Sequence, residues 1–198
     1  MSTLEHQTIG LCHEFGYVRS KHEGTLLDLC IREGWIKPWE VFLDLGSGDG
    51  KVCFAAARLG LISYGIELAP ELFAMAEQQR LSLGLDNPKF FLGNYFPREY
   101  RLHLPQSLFV FTDERDQDLR EQIALSSVDV FYAYLWESQI DPVLGLFAGY
   151  AKPSARLIIP NCFIGITGFR KLAERHSLDE ITNYRSNSDA IFRRKGQL

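Results

Sequence analysis

No stretch of this chain approaches the roughly 20 consecutive apolar residues needed to cross a bilayer, so no membrane span is expected. Positive charge is not in excess either: 21 Lys and Arg face 25 Asp and Glu, for a net charge of −4. No global basic field therefore draws the chain to nucleic acid or an anionic membrane, although Arg193, Arg194 and Lys195 cluster locally. Cysteine is sparse and unpatterned. Cys12, Cys30, Cys53 and Cys162 show no CxxC spacing, which points to reduced, mostly buried thiols rather than a disulfide framework. Cys12-His13 lacks a second ligand pair, so no metal is expected. Residues Met1 to Gly10 have neither the basic n-region nor the apolar h-region of a signal peptide, and a cytoplasmic location is expected. Repeats, low-complexity tracts and Pro/Gly/Ser linkers are also missing, and residues 1–198 read as a single domain.

What is present is an alternation of helix-like and strand-like segments. Thr25 to Glu33 carries Leu26, Leu27, Leu29 and Cys30 at helical spacing and stops at Gly34. Residues 1–40 as a whole read as a helical N-terminal cover. Strands are expected at Val41 to Leu45, Leu61 to Leu68, Lys89 to Leu92, Val128 to Tyr134 and Ala155 to Ile159, with two last ones near Glu180 to Tyr184 and Ala190 to Arg193. Helices are expected at Val52 to Leu59, from Pro70 (a residue tolerated in a first turn) through Leu83, at Pro142 to Tyr150 and around Phe169 to Arg175. The alternation implies an α/β fold, a doubly wound and mostly parallel seven-stranded sheet with helices on both faces. Residues 94–127 interrupt it as an insertion between strands three and four. They hold an extra strand-like run, Ser107 to Thr112, and a charged helical stretch from about Asp116 to Leu125. Such a connection is either an ornament or a cover over a site.

The first strand runs into Gly46-Ser47-Gly48-Asp49-Gly50-Lys51, with glycine at alternate positions, and a helix follows at once. That is the grammar of a nucleotide-cradling turn. The dinucleotide fingerprint fails because Lys51 occupies the place of its third glycine. The P-loop fails because Val52 follows Gly50-Lys51 and Leu45 stands where its first glycine belongs. Charge narrows the ligand further. A pyrophosphate would be repelled by Asp44 and Asp49, whereas S-adenosylmethionine carries no phosphate and brings a cationic amine and a cationic sulfonium. Backbone N–H groups of Gly46, Ser47, Gly48 and Gly50 can meet its carboxylate. Glu67 closes the second strand, placed to accept hydrogen bonds from both ribose hydroxyls. At the end of the third strand, Asn94 and the neighbouring Tyr95 are candidates for the adenine edge; the alternative for Asn94 is to form a turn after Gly93.

Phe42-Leu43-Asp44-Leu45-Gly46-Ser47-Gly48-Asp49-Gly50-Lys51-Val52, followed by Tyr64-Gly65-Ile66-Glu67-Leu68-Ala69-Pro70, resembles a class I (seven-strand) S-adenosylmethionine-dependent methyltransferase. Within that superfamily the likeness is to the mitochondrial lysine methyltransferases of ATP synthase subunit c and of the adenine nucleotide translocase, with their archaeal protein-lysine relatives. Those share a D-L-G-S-G-D-G-[RK] turn and a following G-x-E. Gly16-Tyr17-Val18-Arg19-Ser20 keeps the Tyr and Val of their N-terminal lead-in and loses both prolines. Val128 to Leu135 is similar to their fourth strand, and Asn94 stands where the group usually has an acidic residue. The resemblance implies a Rossmann-like methyltransferase fold with a lysine side chain of a protein as acceptor.

Transfer from a sulfonium is an in-line displacement that needs neither metal nor oxyanion hole, and alignment supplies much of the acceleration. A lysine acceptor, with a solution pKa near 10.4, must first lose its proton, which an aromatic-walled slot favours by desolvation. Tyr134, Leu135 and Trp136 after strand four, and Asn161, Cys162 and Phe163 after strand five, are the candidate wall, with Tyr17 covering it. The alternative for Tyr134-Leu135-Trp136 is packing under a loop. Tyr17 or Tyr134 could relay the proton, or water could take it. The absence of a [DN]-P-P-[YFW] motif after strand four disfavours adenine N6 or glutamine acceptors. A small molecule or RNA acceptor, or a non-catalytic protein that keeps the cofactor fold, stays open beside the protein-lysine reading.

Overall fold

The computed structural model describes residues 23–104, 122–160, 165–181 and 189–196. The elements in chain order are α1 (Glu23–Arg32), β1 (Val41–Leu45), α2 (Lys51–Arg58), β2 (Ile62–Glu67), α3 (Pro70–Ser82), β3 (Lys89–Leu92), α4 (Arg98–Arg101), β4 (Val130–Tyr132), α5 (Glu137–Tyr150), β5 (Arg156–Ile159), α6 (Gly165–Arg175), β6 (Leu178–Glu180) and β7 (Ala190–Arg194). A 3₁₀ turn at Leu125–Ser127 precedes β4. The strands form one sheet in the order β3-β2-β1-β4-β5-β7-β6. β1 through β5 pair in parallel, and β7 is antiparallel to both of its neighbours.

The central strands are apolar on both faces because each face is covered, and alternate residues feed two separate cores. On one side Leu43, Leu45, Phe131, Leu157 and Ile159 pack with Val143, Leu144 and Phe147 of α5 and Phe169 and Ala173 of α6. On the other, Phe42, Val130, Tyr132 and Ile158 pack with Leu26, Leu27 and Cys30 of α1, Cys53, Phe54 and Ala56 of α2 and Ala76 of α3. α1 is therefore part of this helical layer, packed against α2. Burial pushes the Cys30 thiol up to about 12 and the Cys53 thiol well above its ordinary range. Both thiols are free and buried. At the amino ends of the strands, Asp129 accepts from the Val41 N–H (2.9 Å) and pairs with Lys152 (2.6 Å).

Most elements fall where the sequence places them, and the exceptions have local causes. α5 begins at Glu137, ahead of the expected Pro142. The Trp136 N–H donates to the Gln139 side chain (3.1 Å), and the Gln139 N–H donates to the Trp136 carbonyl (2.9 Å), so a cap starts the helix there. β4 is shorter than its apolar run: the Ala133 N–H makes the last bond to β5, at the Ile158 carbonyl (3.1 Å), and Tyr134 to Trp136 lead on to α5. β6 lies earlier than expected, at Leu178–Glu180. The strand expected at Ser107 to Thr112 and most of the helix expected from Asp116 lie outside the described residues. Within the rest of the insertion, α4 is a single turn. Among the described residues no helix is long and apolar enough to cross a membrane.

Candidate functional site

β1, β2 and β4 end level with one another, because Asp44 pairs with both Gly65 and Tyr132. The order of connection reverses between β1 and β4, which opens a crevice at their carboxyl ends. The glycine turn fills its floor. Gly46 and Ser47 both donate their N–H groups to the Ile66 carbonyl (3.0 and 2.9 Å), and Gly50 donates to the Ser47 carbonyl (2.9 Å). Gly46, Gly48 and Gly50 adopt φ of +94°, +55° and +82°, the left-handed region that glycine enters freely. The alternation of glycines is thus the alternation of the backbone.

The two outer glycines also meet different surroundings. A Cβ on Gly50 would lie 2.5 Å from the Phe90 ring, so this glycine locks the turn to α3 and β3. A Cβ on Gly46 would find nothing within 4 Å. Gly46 is exposed and faces open space, a cradle suited to close approach of a ligand. α2 opens directly behind with no side-chain cap, leaving its first-turn N–H groups to an incoming carboxylate.

Three carboxylates surround the turn, and they are not equivalent. Asp44 is buried at the end of β1, with the Cys53 thiol 3.9 Å from Oδ2. Glu67, half-buried at the end of β2, accepts the Gly48 N–H on Oε2 (2.7 Å) and the Ala69 N–H on Oε1 (2.8 Å). Desolvation raises its pKa above the ordinary 4.5, and the backbone N–H groups of Ala69, Gly48 and Leu68 only partly offset this. Asp49 pairs with Lys51 at 2.6 Å. Its charge is balanced within the turn, so the attraction for a cationic ligand read from the sequence rests on Asp44 and Glu67. A Lys two residues from an Asp across a left-handed glycine was the available signal.

The Gly93 N–H donates to the Glu67 carbonyl (2.9 Å), which ties the end of β3 to the same crevice. Asn94 is buried, and its Oδ1 accepts the Phe96 N–H (2.9 Å), so the turn-forming role is realised by that oxygen. The half-buried Tyr95 ring packs on Phe96 with centroids 4.5 Å apart. Burial and then the charge of Glu67 raise its phenol, which stays protonated. After β4, Tyr134 is half-buried, Leu135 is buried in the core and Trp136 is 43% exposed at the head of α5. For Leu135 the packing alternative therefore holds. Tyr17, Asn161, Cys162 and Phe163 lie outside the described residues.

The open cradle at Gly46, the uncapped helix behind it and the carboxylates of Asp44 and Glu67 at the strand ends fit S-adenosylmethionine. With this strand order they define a class I S-adenosylmethionine-dependent methyltransferase. The sequence pattern of a family described as "Histone methylation protein DOT1" matches residues 22–145, and the chain belongs to that family. Solved structures with the same fold include a TehB-like methyltransferase from Corynebacterium glutamicum (16% identity, 97% of this chain and 96% of that one, TM-score 0.59). An RNA methyltransferase from Salinibacter ruber, in complex with S-adenosyl-L-homocysteine, matches at 18% identity over 90% and 92% of the two chains (TM-score 0.57). A magnesium protoporphyrin IX methyltransferase from Synechocystis with bound S-adenosylmethionine matches at 15% identity over 98% and 86% (TM-score 0.60). At these identities the likeness is one of fold, and the two acceptors named, RNA and magnesium protoporphyrin IX, differ from each other.

Proposed function

We propose that the chain transfers a methyl group to lysine side chains of a protein. The observation that carries this reading is membership of a family described by histone methylation. The aromatic pair Tyr134 and Trp136, set just beyond the β4 residue that pairs with Asp44, supports it. The narrower resemblance to mitochondrial and archaeal protein-lysine methyltransferases points the same way.

When bound, the donor supplies an electrophilic methyl on a cationic sulfur that an acceptor lone pair displaces in line. Gly46, Ser47, Gly48 and Gly50 would line its amino-acid end, but their own N–H groups are already given to Ile66, Glu67 and Ser47. The first-turn N–H groups of α2 would therefore meet the carboxylate, with Asp44 near the cationic amine. Glu67 would accept from the ribose hydroxyls, while Asn94 and Tyr95 border the base. Tyr134 and Trp136 present aromatic faces to the acceptor, which strip water from its ammonium and so lower its pKa toward the neutral amine. Tyr17 is proposed as the cover over this slot, and it or Tyr134 as the proton relay. Residues 1–198 then act as one domain, in which the insertion at residues 94–127 is an ornament or a cover over the site.

Incubation with labelled S-adenosylmethionine and a cell lysate, followed by purified basic proteins, tests the acceptor. Label is expected in protein bands, removed by protease and recovered as methyl-lysine on hydrolysis. Label confined to nuclease-sensitive or low-mass material would replace the protein acceptor with RNA or a metabolite. Donor binding without transfer into any fraction would make the chain a cofactor-fold binding protein.

A further inference from the structure

Gly65 sits in the middle of β2, opposite Asp44 in the ladder. Glycine inside a strand weakens it and marks a close backbone approach. A Cβ at Gly65 would lie 2.7 Å from both Cβ and Oγ of Ser47 and 2.8 Å from Sγ of Cys53. None of these atoms belongs to a long flexible side chain. Ser47 is in the glycine turn itself, and Cys53 is in the first turn of α2, where its thiol donates toward the Tyr64 carbonyl (3.5 Å). Among the described residues the buried Ser47 Oγ has no hydrogen-bond partner; it sits in the space that a Cβ on Gly65 would enter.

The φ of Gly65 is not left-handed, so alanine suits the backbone there and its only obstacle is steric. Making room for a methyl means lifting the turn off β2. Three backbone bonds oppose that movement: Gly46 and Ser47 to the Ile66 carbonyl, and Gly48 to the Glu67 carboxylate at 2.7 Å. The last of these sets where the carboxylate stands relative to the turn.

We propose that Gly65 is a positioning residue for donor binding: its missing side chain lets the glycine turn seat on β2 and brings the Gly48 N–H onto Glu67. Gly65 does not touch the donor in this scheme; it acts through Ser47 and Gly48. The inference rests on the reading that the turn and Glu67 hold the donor.

The test is a double-mutant cycle of Gly65→Ala and Ser47→Gly, with S-adenosylmethionine affinity read by calorimetry and Gly48 amide exchange by NMR. Gly65→Ala is expected to weaken binding at least tenfold and to speed exchange of the Gly48 amide. In the Ser47→Gly background, where two of the three clashing atoms are gone, the Gly65→Ala penalty should shrink several-fold. A Gly48 amide that stays protected in Gly65→Ala, or an equal penalty in both backgrounds, overturns the latch. Faster exchange with unchanged affinity leaves the latch but overturns the proposal by failing the donor reading beneath it. Should Gly65→Ala not fold, it is placed in a Ser47→Gly/Cys53→Ala parent, which lacks all three atoms. Affinity equal to that parent's supports the proposal, and tenfold weaker affinity overturns it.

Discussion

Glu67 has about four lone-pair directions on its two oxygens, and backbone N–H groups of Gly48 and Ala69 occupy one on each. The Leu68 N–H also faces the carboxylate, and the directions that remain are available to the ribose hydroxyls. Glu67→Ala should therefore weaken donor affinity by about 1.5–3 kcal/mol, the range for charge-assisted hydrogen bonds. An unchanged dissociation constant in a folded variant would remove Glu67 from the site. The pH dependence has two opposite signs. Desolvation raises the carboxyl pKa above 4.5 in the folded chain, so the native state binds this proton more tightly than the unfolded one. In donor-free protein that contribution is fully present below the unfolded pKa and is lost as pH rises through the raised value. Donor binding needs the ionised acceptor and should strengthen over the same interval. Glu67→Gln should flatten both curves, by denaturation midpoints in one case and calorimetry in the other. The acidic end of β2 was legible from its distance to the glycine turn. That Asp49 is balanced by Lys51 was not, because spacing shows charges without showing which of them meet.

Strand ends were the most legible elements. β1 and β3 end where glycine follows an apolar run, at Gly46 and Gly93, and their bounds agree with the sequence reading to the residue. The start of α5 was obscured by Pro142, a residue that suits a first turn but here sits further inside the helix. Long-range anchors left still less trace. The Tyr100 hydroxyl donates to the Pro142 carbonyl (2.8 Å), its ring meets Tyr150 edge-on at 5.9 Å, and Tyr150 donates to Glu99 (3.2 Å). These contacts fasten the start of the insertion to α5, the helix that Trp136 heads. Burial, with lesser help from Asp141 and Tyr150, pushes the Tyr100 phenol up to about 12, which keeps it a donor. A Cβ at Gly145 would collide with that hydroxyl, so Gly145→Ala should cost about 1–3 kcal/mol, as overpacked cores do. Tyr100→Phe alone should cost about 0.5–1.5 kcal/mol for the lost bond. Because phenylalanine removes the very atom the new methyl strikes, the double variant should lose less than the sum. Urea midpoints that add without coupling would show that the two residues do not share this contact.

The whole molecule separates stability from function along the strand axis. Charged bracing at Asp129 and Lys152 gathers at the amino ends of the strands, while the glycine turn, Asp44 and Glu67 gather at the carboxyl ends. Part of this topology follows from chain length. Residues 181–189 are too few to carry a crossover between parallel strands, so β6 and β7 pair as an antiparallel unit. The insertion of β7 between β5 and β6 is a choice among packings that periodicity does not distinguish. The site unites β1, β2, β3 and α2, so a donor bound there reports on the folded sheet as one body. A ligand that binds only the native state adds about 2.7 kcal/mol at 100 times its dissociation constant. In a chain of this size each kcal/mol raises the midpoint by about 2–4 °C, so S-adenosylmethionine or S-adenosylhomocysteine at that excess should raise Tm by about 5–11 °C. In Glu67→Ala at the same concentration the affinity loss of about 1.5–3 kcal/mol leaves only about 0.3–1.3 kcal/mol of this stabilisation, so the shift should shrink to about 1–5 °C. NAD at equal concentration should give none, since its pyrophosphate would be brought beside the carboxylates of Asp44 and Glu67 while Lys51 is engaged by Asp49. A thermal scan in which NAD stabilises and S-adenosylmethionine does not would overturn the reading of the turn.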